Sequence, residues 1–168
     1  LQHSMSAKQA AKVYFCRHAQ STFNSSGDNS PDVPLSSAGE AQARQLSGHF
    51  SLVLCSPMRR AQLTLRLSEI TYDRLETVQE LREQLNEGSD LLPGEGYEKL
   101  GESDASFASR VSQVRNRLLQ ELADNKSQAD FRILVVSHLF TGYALFQACG
   151  VRSPDLRNAQ IVPLPGLQ

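Results

Sequence analysis

The sequence predicts an α/β domain: a mainly parallel central sheet covered by helices on both faces, three layers in all. Two observations predict it. Short, mostly apolar, β-prone runs recur at residues 12–16, 51–55 and 131–136, and strands without polar alternation belong in sheets buried on both sides. Stretches with helical apolar spacing or helix-start residues fall between and after these runs, and that alternation favours parallel strands with crossover helices.

Taken in order, residues 12–16 form the first strand, and a loop rich in Ser, Asn, Asp, Gly and Pro covers about 21–34. Ser36 or Ser37 offers an N-cap, with Glu40 placed for a capping box on Ser37, and the helix runs to about Gly48. Residues 51–55 are the second strand. Ser56-Pro57 then marks a helix start, continuing to about Ile70. Residues 75–80 give a weaker third strand of unassigned direction, and 84–102 is connection with room for a short helix. Phe107, Val111, Val114, Leu118 and Leu122 define one face of a long helix from Ser103. Residues 131–136 are the fourth strand, 139–148 an apolar helix ending at Gly150, and 160–164 a last extended segment whose direction is also unassigned.

The length of 168 residues and the 40% apolar content suit one domain, read as residues 5–168, with Leu1 to Ser4 (including His3) set aside as a remnant ahead of Met5. With 17 basic and 18 acidic residues the net charge is -1, which argues against a nucleic-acid or membrane-surface binder. No apolar run approaches a membrane span and no signal-peptide core precedes the first strand, so a cytoplasmic protein is expected. Cys16, Cys55 and Cys149 lack paired spacing and read as reduced packing thiols, and no zinc-type ligand spacing occurs. No metal or other cofactor is expected. Nothing in the sequence sets the oligomeric state.

The polar residues after the strands carry the chemistry. Arg17-His18 follows the first strand, Arg59 lies just past the second, Arg82-Glu83 follows the third, and Ser137-His138 the fourth. Ligands in such sheets bind outside the carboxyl ends of the strands. Guanidinium forks hold phosphate oxygens in pairs. An unprotonated imidazole can attack phosphorus, and a carboxylic acid can protonate the departing alkoxide.

Five ordered blocks resemble the histidine phosphatase superfamily, the phosphoglycerate mutase-like proteins. They are the run from Phe15 to Asn24 with Arg17-His18-Ala19 at its centre, the run from Asp32 to Ala43, Cys55-Ser56-Pro57-Met58-Arg59-Arg60-Ala61, Leu81-Arg82-Glu83, and Val135-Val136-Ser137-His138. The resemblance implies a phosphoglycerate mutase-like fold and a metal-independent phosphatase acting on a phosphorylated small molecule or protein. It implies His18 as phosphohistidine nucleophile, with Arg17, Arg59 and His138 on the phosphoryl oxygens. Asn24 and Ser21 would assist, and Glu83 would be the proton donor. Counting from Ser56 selects Arg59, with Arg60 as the alternative; Glu80 or Glu87 could substitute for Glu83. Ala19 and Leu139 stand where the family usually has Gly. A mutase, or a catalytically idle member binding phosphate or protein, are the rival readings. His49 reads as a surface residue, and Arg110, Arg115 and Arg117 as the exposed face of the long helix.

Overall fold

In the computed structural model, which describes residues 11–167, five strands form one sheet. They are β1 (Val13–Arg17), β2 (Ser47–Cys55), β3 (Glu69–Thr77), β4 (Ile133–Ser137) and β5 (Ile161–Pro163), in the order β3-β2-β4-β1-β5. β1, β2, β3 and β4 run parallel, and β5 pairs antiparallel with β1, which assigns both directions the sequence left open. The residues set aside at 1–4 lie outside the described part. Among the described residues no helix is long and apolar enough to cross a membrane.

Each apolar strand serves two cores by alternation. Phe15, Leu52, Leu54, Ile133 and Val135 pack against α4 (Asp104–Asp124) and α5 (Leu139–Ala148). Cys16, Val53, Cys55, Leu134 and Val136 pack with Ala61 and Leu65 of α3 (Arg59–Leu67). The period-2 geometry of a strand sends neighbours to opposite faces, so a run apolar at every position needs a cover on both. The expected face of the long helix is buried at Phe107, Val111, Val114 and Leu118, and Ser103 caps it by accepting the Ser106 N–H. Gly150, at φ +70°, ends α5 in the left-handed region that suits glycine.

Boundaries move where sheet pairing overrides local pattern. The helix expected to reach Gly48 stops at Arg44 (α2, Ser37–Arg44, capped by Ser36), because residues from Ser47 onward pair with Glu69 onward. β3 begins at Glu69, well before the expected residue 75. It lies at the sheet edge with most side chains exposed, so no apolar signal marks its start. The 21–34 loop contains a short helix, α1 (Thr22–Ser26), opened by a reciprocal Ser21–Asn24 capping box. The 84–102 connection holds two single 3₁₀ turns, at Gly88–Asp90 and Tyr97–Lys99.

The segment leaving β1 rests on α2. Gln20 donates its N–H to Gln42 and its carbonyl accepts from the Ser36 N–H at 3.0 Å. A Cβ at Gly39 would sit 1.9 Å from that carbonyl oxygen. Gly39→Ala should therefore cost about 1–3 kcal/mol by overpacking, read as a lower urea midpoint at unchanged m-value. An unshifted midpoint would show that this backbone contact is not needed.

Candidate functional site

Parallel pairing aligns the strand ends. β4 lies between β1 and β2, with Arg17 level with Ser137 and Cys55 level with Val136. One further ladder-type bond extends each pair: His18 N–H to Ser137 O (2.9 Å) and Ser56 N–H to Val136 O (3.0 Å). His18, Ser56 and His138 thus leave the sheet side by side. The two imidazoles lie 5.2 Å apart between ring centres, tilted by 59°.

His18 is 5% exposed, and its Nδ1 lies 2.6 Å from the carbonyl oxygen of Ala19. A carbonyl can only accept, so Nδ1 carries the proton and Nε2 keeps a lone pair. Burial first, then the Arg60 charge, holds the ring pKa well below its ordinary value, so His18 is neutral near pH 7. His138 is fully buried and is also pushed well down, by burial and then Arg60. Its Nε2 lies 2.8 Å from Ser56 Oγ, which also accepts the Met58 N–H. When the Ser56 hydroxyl donates to Nε2, the proton of the neutral ring sits on Nδ1, a buried atom with no partner among the described residues.

A cavity of about 240 Å³ opens beside His18 and is walled in part by Arg17, Ser21, Asn24, Arg60 and Glu83. The arginine chosen from the sequence needs correction. Arg59 is exposed, and its backbone N–H bonds to Asp32. Arg60, one residue further round the first turn of α3, is 4% exposed and lines the cavity. One residue of helix is about 100° of rotation, enough to exchange solvent for the interior. Arg60 is held by Ser89 O (2.9 Å) and Asp90 Oδ1 (3.1 Å).

Glu83 lines the cavity and also caps α5: Oε2 accepts the Phe140 N–H at 3.0 Å, and Oε1 accepts the Thr141 N–H at 3.0 Å. Burial raises its pKa, opposed by those N–H bonds. Glu80 is absent from the wall, whereas Glu87 stands at it. Ser21 donates its hydroxyl to Asn24 Oδ1, which also accepts the Ser21 N–H, so Ser21 orients Asn24 and has no proton left for a ligand. His138 is not part of the wall and lies against His18.

At Ala19, where the family usually has Gly, φ is not positive, and the N–H bonds to Thr64 Oγ1. Leu139 does stand at the cavity wall. Arg110, expected on an exposed helix face, instead reaches the carbonyl oxygens of Glu80, Arg82 and Glu83 and pairs with Glu102, bracing the turn that carries Glu83. Asn158 was not foreseen either; its amide donates to His18 O at 2.9 Å. Neither has a local sequence signal, since both act across long chain separations. Cys16 and Cys55 are buried with thiol pKa values pushed up to about 12, which suits packing and not nucleophilic attack. Among the described residues no group of three or more His, Cys, Asp or Glu side chains is arranged to hold a metal ion. A larger groove of about 460 Å³ lies at the opposite end of β1, lined mostly by apolar residues with Lys12 and Lys126.

A model of the histidine phosphatase superfamily (branch 1) matches residues 13–163. The chain belongs to that superfamily. Among solved structures, it is similar to a putative alpha-ribazole-5'-P phosphatase from Escherichia coli at 26% identity, with 83% of this chain and 80% of that one covered and a TM-score of 0.57. A phosphoglycerate mutase from Thermus thermophilus matches at 26% identity over 89% of this chain and 90% of that one, with a TM-score of 0.58. The product of a Mycobacterium tuberculosis open reading frame, at 18% identity, covers 89% of this chain and 88% of its own with a TM-score of 0.60, and shows the shared fold. A comparison with curated protein sequences found no match. The fold is the mixed α/β sheet of the phosphoglycerate mutase-like proteins.

Two expected outcomes follow from this geometry. The folded pKa values of His18 and His138 lie below the ordinary value of 6.5, so the unfolded chain binds more protons as pH falls through 6.5. Their stability contribution is complete above that pH and is lost below it, at up to about 1.4 kcal/mol per pH unit for each ring. Glu83 and Asp90 have raised pKa values and act with the opposite sign, protonating more readily when folded. Urea unfolding between pH 5 and 7 should therefore show a shallower slope in His18→Asn than in the parent; equal slopes would contradict a buried neutral His18. For the arginines, Arg60→Ala should weaken orthovanadate affinity at least about 100-fold, the scale of a lost charge-stabilising donor, and Arg59→Ala should change it little. The reverse order in competition binding would restore Arg59.

Proposed function

We propose that the protein hydrolyses phosphomonoesters through a phosphohistidine at His18, without a metal ion. The observation carrying this reading is the His18 tautomer. The Nδ1–H bonded to Ala19 O fixes Nε2 as the free, neutral nucleophile at the cavity wall. Arg17 and Arg60 supply the two cations for the phosphoryl oxygens, and burial depresses both their pKa values without approaching neutrality for a guanidinium. The Nε of Arg17, a residue of the cavity wall, is buried without a partner among the described residues, so an entering anion offers it an acceptor. Asn24 contributes its amide, oriented by Ser21.

In the first step Nε2 forms a bond to phosphorus and the bond from phosphorus to the ester oxygen breaks. Glu83, its pKa raised by burial, gives its proton to the departing oxygen. In the second step Glu83 takes a proton from water as that water displaces His18 from phosphorus and releases inorganic phosphate. Hydrolysis is preferred to mutase chemistry because the 84–102 connection is short and leaves water access to the cavity. The similar structures bear both names, a phosphatase and a mutase, and product analysis separates them: inorganic phosphate without an isomerised ester.

The test is turnover of an aryl phosphate with trapping of acid-labile phosphate. His18→Ala should abolish both, a chelator should leave the rate unchanged, and orthovanadate should inhibit. His18 must be neutral and Glu83 protonated, so kcat/KM should rise through a pKa below 6.5 and fall through one above 4.5. Retained turnover by His18→Ala, or no trapped phosphate from a broad ester panel, would remove the covalent mechanism and favour an idle binding module.

A further inference from the structure

We infer that the leaving group accepted by this cavity is an uncharged, ring-bearing small alcohol or phenol, selected by Phe23, Leu139 and Phe140 together with the Glu87 carboxylate. The inference rests on the phosphoryl-binding reading above and concerns the other end of the substrate.

Cation accounting comes first. Among the described residues, Arg17 and Arg60 are the only Lys or Arg side chains in the cavity wall, and the phosphoryl group claims both. Arg60 is already partly offset by Asp90. Arg82, the nearest further arginine in sequence to Glu83, is committed to Glu95 and to the Asp90 carbonyl, away from the wall. A leaving group with its own carboxylate or phosphate would find no free cation in the wall among the described residues.

What it would find is a carboxylate. Glu87 is exposed at the wall, and its place there is fixed: Asn29 Nδ2 donates to Glu87 Oε2 at 3.1 Å, and Asn29 Oδ1 accepts the Ser89 N–H at 3.0 Å. A Cβ at Gly88 would lie 2.3 Å from the Asn29 carbonyl oxygen, so the two loops meet with no space between them. Like charges brought together in a partly buried cleft repel.

The remaining contact surface is apolar. Phe140, half exposed at 52%, and the partly buried Phe23 and Leu139 border the opening. Exposed aromatic side chains beside a polar cleft gain by covering an apolar ring. With about 240 Å³ available, the cavity is smaller than typical drug-sized sites, which favours a compact ligand.

Two phosphonates that share one head group separate this from simple anion binding. Phenylphosphonate should bind the protein at least ten-fold tighter than phosphonoacetate by titration calorimetry. Phe140→Ala should weaken phenylphosphonate several-fold, and Glu87→Gln should strengthen phosphonoacetate several-fold. Equal or tighter binding of phosphonoacetate, or no binding of either compound, would overturn the inference. Turnover then tests the two readings separately. Phosphate release that favours 3-phosphoglycerate over phenyl phosphate would sink the leaving-group assignment and leave hydrolysis standing. Tight, selective phenylphosphonate binding with no turnover of phenyl phosphate would sink hydrolysis and leave the selectivity.

Discussion

The parallel register between β1, β4 and β2 is the constraint on which the site depends. With Arg17 beside Ser137 and Cys55 beside Val136, the three chains leave the sheet at one level. A slip of one residue would reverse every side chain between the two faces. Both halves of each apolar strand are buried, so it is the close packing of the two hydrophobic cores that resists such a slip and keeps His18 against His138. The chemistry at the rim is thus secured by Phe15, Leu54, Val53 and Val135, none of which takes part in it.

Electrostatics at the rim follow from depth. The two imidazoles are kept neutral chiefly by burial and secondly by Arg60, so the His18 Nε2 lone pair is available near neutral pH without a carboxylate beside it. Arg60 itself is a buried cation, and breaking such a pair is costly because the remaining charge stays desolvated. Asp90 holds it from one side, and Asp90 is in turn fixed by the Asn86 and Glu87 N–H groups. The same short segment also carries Glu87, so the loop that braces the arginine also shapes the opening.

A second set of residues holds His18 and Glu83 from outside the cavity wall. Arg110 spans from α4 to the carbonyl oxygens of Glu80, Arg82 and Glu83, Ser137 Oγ bonds to Leu81 O at 2.6 Å, and Asn158 reaches back to His18 O. Glu83 joins this framework as well as the cavity, since it caps α5 through Phe140 and Thr141. Removing its carboxylate would therefore affect helix entry as well as the cavity wall.

The sequence by itself determined the layered α/β class, the buried strands, the long amphipathic helix and the positions of His18, His138 and Glu83, because these are written in periods of 2 and 3.6 and in residues adjoining strand ends. It left open the directions of β3 and β5, and it misplaced the start of β3, an exposed edge whose stability comes from its partner strand and not from its own composition. Only the tertiary structure decided between Arg59 and Arg60, since that choice turns on which side of a helix faces the cavity after α3 has docked. The same holds for Ser21, Arg110 and Asn158. Their roles are hydrogen bonds made in three dimensions, and a side chain's composition does not record which partner it will meet.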